Sequence, residues 1–173
     1  MNALSLSRIP AGLGFVVTFQ QNITLFYLSV ALFGFALTTD LLDGYIARKL
    51  AIHSISGRHW DSLGDKSFYL GVIIAFNSQG FLNPVLSWAL IVREVALYIT
   101  RILYIENLPR VEQIRPFTNW HGYFMHVMIL LGLAAMYAAM KHHPLHLYVF
   151  IQCAATASLA FGVASVFYFC RLR

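Results

Sequence analysis

The sequence of 173 residues contains four aspartates, and all of them fall within one stretch of 26: Asp40, Asp43, Asp61 and Asp65. Asp40 and Asp43 are three apart, and Asp61 and Asp65 are four apart. On a helix, either spacing puts the pair on one face. A turn between the pairs brings the two faces together, so four carboxylates converge. Like charges so arranged repel each other, and burial raises the cost. Arg48, Lys49, Arg58 and Lys66 offset part of that charge but cannot gather four acids onto one locus. Hard divalent cations can. Mg²⁺ and Mn²⁺ prefer carboxylate oxygens and commonly share them with substrate phosphates. Two such ions balance four carboxylates and leave capacity for a diphosphate. The competing reading is a solvated acidic loop with isolated ion pairs, which leaves the clustering unexplained.

The residues between the aspartates suit a phosphate-bearing ligand. Gly44 and Gly57 remove side chains where a ligand or a second helix comes close. Ala47 is small and one turn from Asp43. Arg48 offers a planar fork to phosphate oxygens, and Ser54 offers a hydroxyl in the turn.

The elements that must hold this constellation follow from composition. Hydrophobic residues make up 59% of the chain and charged residues 11%, with a mean hydropathy of +0.67. A soluble domain carries roughly 25% charged residues, so a soluble globular enzyme is excluded, as is a disordered or fibrous chain. The reading is an all-α integral membrane protein with a single domain over residues 1–173. Six apolar segments are marked: Leu4–Phe19, Ile23–Thr39 with a polar extension to Leu50, Trp60–Phe76, Pro84–Tyr104, Asn119–Met140 and Leu145–Phe169. Helices are the default in lipid, because unpaired backbone groups are costly there and no barrel alternation is present. The first segment carries Arg8 early and lacks a small-residue cleavage pattern, so it reads as a span and not a cleaved leader.

Loop charges orient the spans. Arg8, Arg48, Lys49, Arg58, Lys66, Arg101, Arg110, Arg115, Arg171 and Arg173 gather at one set of ends, against Lys141 at the other. The bias of positive charge toward the cytoplasm predicts six crossings with both termini inside. The net charge of +5 then meets anionic lipid head groups, not nucleic acid, since no basic run with interleaved aromatics occurs. Small residues on the last two segments, among them Gly132, Ala135, Ser158 and Gly162, mark close helix packing. Cys153 and Cys170 read as packing residues. His142, His143 and His146 form a polar outer loop. His53 and His59 flank the motif turn, and His121 and His126 sit on the fifth segment.

The aspartate stretch reads Asp40-x2-Asp43-Gly44-x2-Ala47-Arg48-x8-Gly57-x3-Asp61-x3-Asp65. It resembles the signature of the CDP-alcohol phosphatidyltransferase family at every fixed position and spacer length. Eight fixed positions at roughly one in fifteen each coincide by chance about once in 10⁹ starts. The six-span layout also resembles the family. So does the opening Asn2-Ala3-Leu4-Ser5-Leu6-Ser7-Arg8, which is similar to the Asn-x-Leu-Thr-x-x-Arg start of members that make phosphatidylglycerol phosphate.

The resemblance implies transfer of a phosphatidyl group from CDP-diacylglycerol to an alcohol, with release of CMP. It implies that Asp40, Asp43 and Asp61 hold a centre of two Mg²⁺ or Mn²⁺ ions. Asp65 would touch one metal and act as general base on the acceptor hydroxyl. Gly44, Arg48 and Ser54 match positions that contact the CDP part, and Gly57 belongs to the same lipid-nucleotide site. Family relatives suggest a homodimer, and the localisation implied is a bacterial inner membrane with the site facing the cytoplasm.

The acceptor is left open. Arg93 lies mid-span, where an isolated charge is expensive, so it is expected to face a cavity. With Arg101 and Arg115 it could bind a phosphate on the acceptor, such as glycerol 3-phosphate. The Arg93-Glu94 pair resembles one found in phosphatidylglycerol-phosphate synthases. Their Gly-Lys-x-Lys-Thr-like run is replaced here by Phe117-Thr118-Asn119-Trp120-His121-Gly122, so inositol phosphate or another acceptor stays in contention. A prenyl-diphosphate transferase usually needs more spans and different aspartate spacing. A cation transporter needs acids along the whole crossing, whereas here they cluster at one side.

Overall fold

The computed structural model describes residues 2–50, 55–103, 108–141 and 147–171. Within these ranges, the side chains of residues 2–4, 43–50, 55–59, 61, 100–103, 108–115, 169 and 170 lie outside the description. Among the described residues every regular element is a helix: α1 (Asn2–Thr18), α2 (Ile23–Leu50), α3 (Ile55–Ser78), α4 (Pro84–Leu103), α5 (Leu108–Met140) and α6 (Tyr148–Arg171).

Local chemistry sets several of these ends. Asn22 caps α2, its side-chain oxygen accepting from the backbone N–H groups of Thr24 at 3.0 Å and Leu25 at 3.3 Å. This satisfies donors that a helix start leaves open. Asn83 caps α4 through the N–H of Val85 at 2.9 Å, and Pro84 takes the first helical position, where its missing N–H costs nothing. α3 stops at a Schellman turn. Phe81 N–H donates to Phe76 C=O at 2.8 Å and Gly80 N–H to Asn77 C=O at 3.1 Å. Gly80 sits at φ 74°, a conformation that a residue without Cβ adopts cheaply.

Among the described residues, three helices are long and apolar enough to cross a bilayer, over Ile23–Leu42, Pro116–Met140 and Tyr148–Tyr168. α1 has 17 residues, or about 26 Å at the helical rise, a little short of a core of ~30 Å. α3 and α4 are diluted by the charges their sequences carry: Arg58, Asp61, Asp65 and Lys66 in one, Arg93, Glu94 and Arg101 in the other. Leu13, Val17, Val85, Trp88, Val92, Val149 and Phe167 are exposed, an apolar exterior suited to lipid and not to water.

The chain divides into two compact units, Met1–Ala75 and Phe76–Arg173. In the first, α1 packs on α2 and α3. Thr18 and Ser29 share a buried hydroxyl hydrogen bond at 2.8 Å, and Phe15 meets Phe68 edge-on at 5.9 Å. The α1–α3 contact is backbone on backbone. A Cβ placed on Gly71 would lie 2.5 Å from the Gly12 carbonyl oxygen, and one on Gly64 would lie 2.2 Å from that of Ser5. In the second unit, Phe161 of α6 stacks on Phe124 of α5 at 5.6 Å. A Cβ on Gly132 of α5 would lie 2.1 Å from the Phe76 ring.

Candidate active site

Thr39 and Asp40 lie far along α2, Asp65 is near the middle of α3, and Arg8 is on the α1 face that packs against both. Arg8 is 1% exposed. A buried guanidinium needs a countercharge and acceptors to be tolerated, and this one has both. Its Nη1 donates to Asp65 Oδ1 and lies 3.5 Å from Asp40 Oδ1. Its Nε donates to Thr39 Oγ1 at 3.1 Å. Asp40 is 51% and Asp65 34% exposed at the side chain. The cation is therefore the floor of the site, and the carboxylates open above it. Two acids distant in sequence are gathered around one guanidinium.

The structure thus brings together Asp40 and Asp65. The side chains of Asp43, Gly44, Arg48, Gly57 and Asp61 lie outside the described residues, as does Ser54 entirely; their backbones, except that of Ser54, fall in α2 and α3. What the donor set offers is hard, anionic oxygen from two helices, in a position open to ions. That chemistry fits Mg²⁺ or Mn²⁺.

In the sequence alone Arg8 is an orienting charge and part of the N-terminal resemblance, not a site residue. The signal that could have found it is the seven-residue spacing of Gly64 and Gly71. Two full turns apart, they make a bare stripe on α3 for another helix to approach.

A second polar cluster lies inside the other unit. Arg93 is 4% exposed and Glu94 fully buried. Arg93 Nη1 donates to Glu94 Oε1 at 2.6 Å, and His121 Nε2 of α5 lies 2.6 Å from the same oxygen. Two N–H groups thus converge on one carboxylate oxygen, which places Arg93 and His121 in contact. The other ring nitrogen, Nδ1, faces Ser158 Oγ of α6 at 2.7 Å. Gly162, one turn beyond Ser158, leaves the room the guanidinium occupies: a Cβ there would lie 1.9 Å from Arg93 Nε. Sequence neighbours on a helix do not face each other, but the length of Arg93 lets it fold back onto Glu94. The expectation that Arg93 faces a cavity meets a different arrangement, a side chain enclosed by paired groups on three helices. The side chains of Arg101 and Arg115 lie outside the described residues.

Glu94→Gln leaves the Arg93 charge buried without its counter-ion. We expect a loss of about 3–5 kcal/mol, read as a lowered midpoint of denaturant unfolding in detergent. Adding Arg93→Met should recover most of that loss, because the pair is then removed together.

Comparison with known proteins finds curated relatives over part of the chain. Three of the relatives are named CDP-diacylglycerol–glycerol-3-phosphate 3-phosphatidyltransferase. That of Mycoplasma genitalium is 34% identical over 102 residues, 59% of this chain and 41% of the relative. That of Mycoplasma pneumoniae is 37% identical over 81 residues, 47% of this chain and 35% of the relative. The matched region thus spans less than half the length of either mycoplasmal protein. That of Aquifex aeolicus is 31% identical over 140 residues, 78% of this chain and 73% of the relative. No solved structure matches. The profile of the CDP-alcohol phosphatidyltransferases matches residues 1–167, which include all four aspartates and Arg8; the chain belongs to the CDP-alcohol phosphatidyltransferase family.

Proposed function

We propose that the chain transfers the phosphatidyl group of CDP-diacylglycerol to glycerol 3-phosphate, releasing CMP. The observation that carries the reading is the pairing of Asp40 and Asp65 around a buried guanidinium, which gives the aspartate signature a physical locus. The names of the relatives support glycerol 3-phosphate as the acceptor.

In the proposed reaction the acceptor hydroxyl oxygen attacks the phosphorus that carries the diacylglycerol. Asp65 takes the hydroxyl proton. A new P–O bond forms as the bond to the bridging oxygen of CMP breaks, and CMP leaves with that electron pair. Asp40, Asp43, Asp61 and Asp65 would hold two Mg²⁺ or Mn²⁺ ions, which when bound neutralise charge on the diphosphate and on the leaving group. Gly44, Arg48, Ser54 and Gly57 would hold the CDP part. Arg93, Arg101 and Arg115 are the cations assigned to the acceptor phosphate; Arg93 must exchange Glu94 for that phosphate to take part.

The proposed setting is one catalytic domain of six crossings, both termini cytoplasmic, working as a homodimer in a bacterial inner membrane. A site at the inner boundary lets the lipid tails stay in the bilayer while a polar acceptor arrives from water.

The test is CMP release by the purified full chain with CDP-diacylglycerol, Mg²⁺ or Mn²⁺, and a panel of acceptors that includes glycerol 3-phosphate and inositol phosphate. Release that depends on glycerol 3-phosphate is expected. Release with inositol phosphate alone would move the acceptor, and no CMP with any acceptor would overturn the transferase reading.

A further inference from the structure

We propose that Arg8 is the positioning residue of the aspartate centre: it fixes the rotation of the Asp65 carboxylate and ties it to the α2 arm of the site. The proposal rests on reading the aspartates as ligands of a divalent cation.

Thr39 is buried. Its hydroxyl lies 3.0 Å from the Phe35 carbonyl and 2.9 Å from that of Ala36. The hydroxyl proton is therefore directed to its own helix, and an oxygen lone pair is left to accept from Arg8 Nε at 3.1 Å. A guanidinium is planar and rigid, so fixing Nε also fixes the direction of Nη1. Nη1 donates to Asp65 Oδ1 and lies 3.5 Å from Asp40 Oδ1. A carboxylate is planar too, so anchoring Oδ1 sets where the second oxygen points. The relay runs from the α2 backbone through Thr39 and Arg8 to a carboxylate on α3.

Charge and positioning make opposite predictions for this residue. By charge alone, Arg8 repels any cation that the aspartates attract, and its removal should tighten Mn²⁺ binding. As a positioning group, its removal should weaken binding, as loss of groups that orient metal ligands does by about 10- to 100-fold. We infer that positioning dominates, because Arg8 is held at both ends and wholly enclosed. Lysine keeps the charge but lacks the rigid planar fork that makes an anchor at Thr39 set the direction toward Asp65.

The experiment is Mn²⁺ binding to the full chain in detergent, followed by the electron paramagnetic resonance signal of free Mn²⁺. Wild type is expected to bind Mn²⁺. Arg8→Met and Arg8→Lys are both expected to bind about 10- to 100-fold more weakly. Thr39→Val preserves shape and removes the relay hydroxyl; it should weaken binding less, and Thr39→Ser should restore it. Arg8→Met binding as tightly as wild type, or more tightly, overturns the proposal. If Arg8→Met does not fold, Thr39→Val decides, and unchanged affinity there overturns it equally. A wild-type protein that binds no Mn²⁺ overturns the cation reading itself, an outcome distinct from failure of the Arg8 variants alone.

Discussion

Asp65→Asn is expected to lower CMP release by about 10²- to 10⁴-fold, the range for loss of a general base. Asparagine keeps the shape of the side chain and can still accept from Arg8. It cannot take a proton from the acceptor hydroxyl. The substitution also removes one negative charge beside a guanidinium that is 1% exposed. Some stability is therefore lost, limited by Asp40 at 3.5 Å. The variant should remain folded in detergent while activity nearly vanishes. Activity within a few-fold of wild type would remove Asp65 from the base role.

Gly64→Ala should cost nearly as much by a different route. The added Cβ would lie 2.2 Å from the Ser5 carbonyl oxygen and 3.0 Å from its carbon. Both are backbone atoms, so no side chain can swing aside. An ordinary C···O contact needs about 3.3 Å, so α1 must withdraw by about 1 Å. Arg8 is one turn beyond Ser5 on the same face and moves with it, away from Asp65. Overpacking of this kind costs about 1–3 kcal/mol, and a 1 Å misplacement at a reacting centre can cost about 10²-fold in rate. We expect both: a lowered unfolding midpoint and about 10²-fold less CMP release. Gly34→Ala is the matched control. A Cβ there meets nothing within 4 Å, so activity should stay at the wild-type value and stability should not fall, since alanine is the better helix former. Full activity in Gly64→Ala would show that the α1–α3 approach does not govern the site.

Hydropathy located all six helices but not all of their ends. α4 starts at Pro84 as read, because Asn83-Pro84 is a chemical start signal visible in sequence. α3 starts at Ile55 and not Trp60, and α5 at Leu108 and not Asn119. Those first turns are polar, and a search for apolar length passes over helix that leaves the apolar region. The meeting of Asp40 with Asp65 was foreshadowed by the aspartate spacing, while the side chains of Asp43 and Asp61 lie outside the described residues. Arg8 as a partner was not foreshadowed, since its contact with Asp65 spans 57 positions and depends on glycines whose meaning is a missing side chain. The Glu94–His121–Ser158 contacts were hidden for a similar reason. Each residue reads as an isolated polar group until three helices are packed, although the small residues on α6 did mark the surface where that packing occurs.

The enclosed Arg93–Glu94 pair has a consequence for how this protein enters its membrane. Taken alone, α4 offers the insertion machinery two charged side chains at mid-helix, and an arginine there costs about 2.5–3.5 kcal/mol on the insertion scale. Those two charges meet each other on α4, and the further partner of Glu94, His121, with Ser158 behind it, belongs to segments synthesised later. On the six-crossing arrangement, α4 is a poor independent passenger. It should settle into the bilayer only once α5 and α6 have emerged to receive it, so that the second half of the chain is delivered as a group of three.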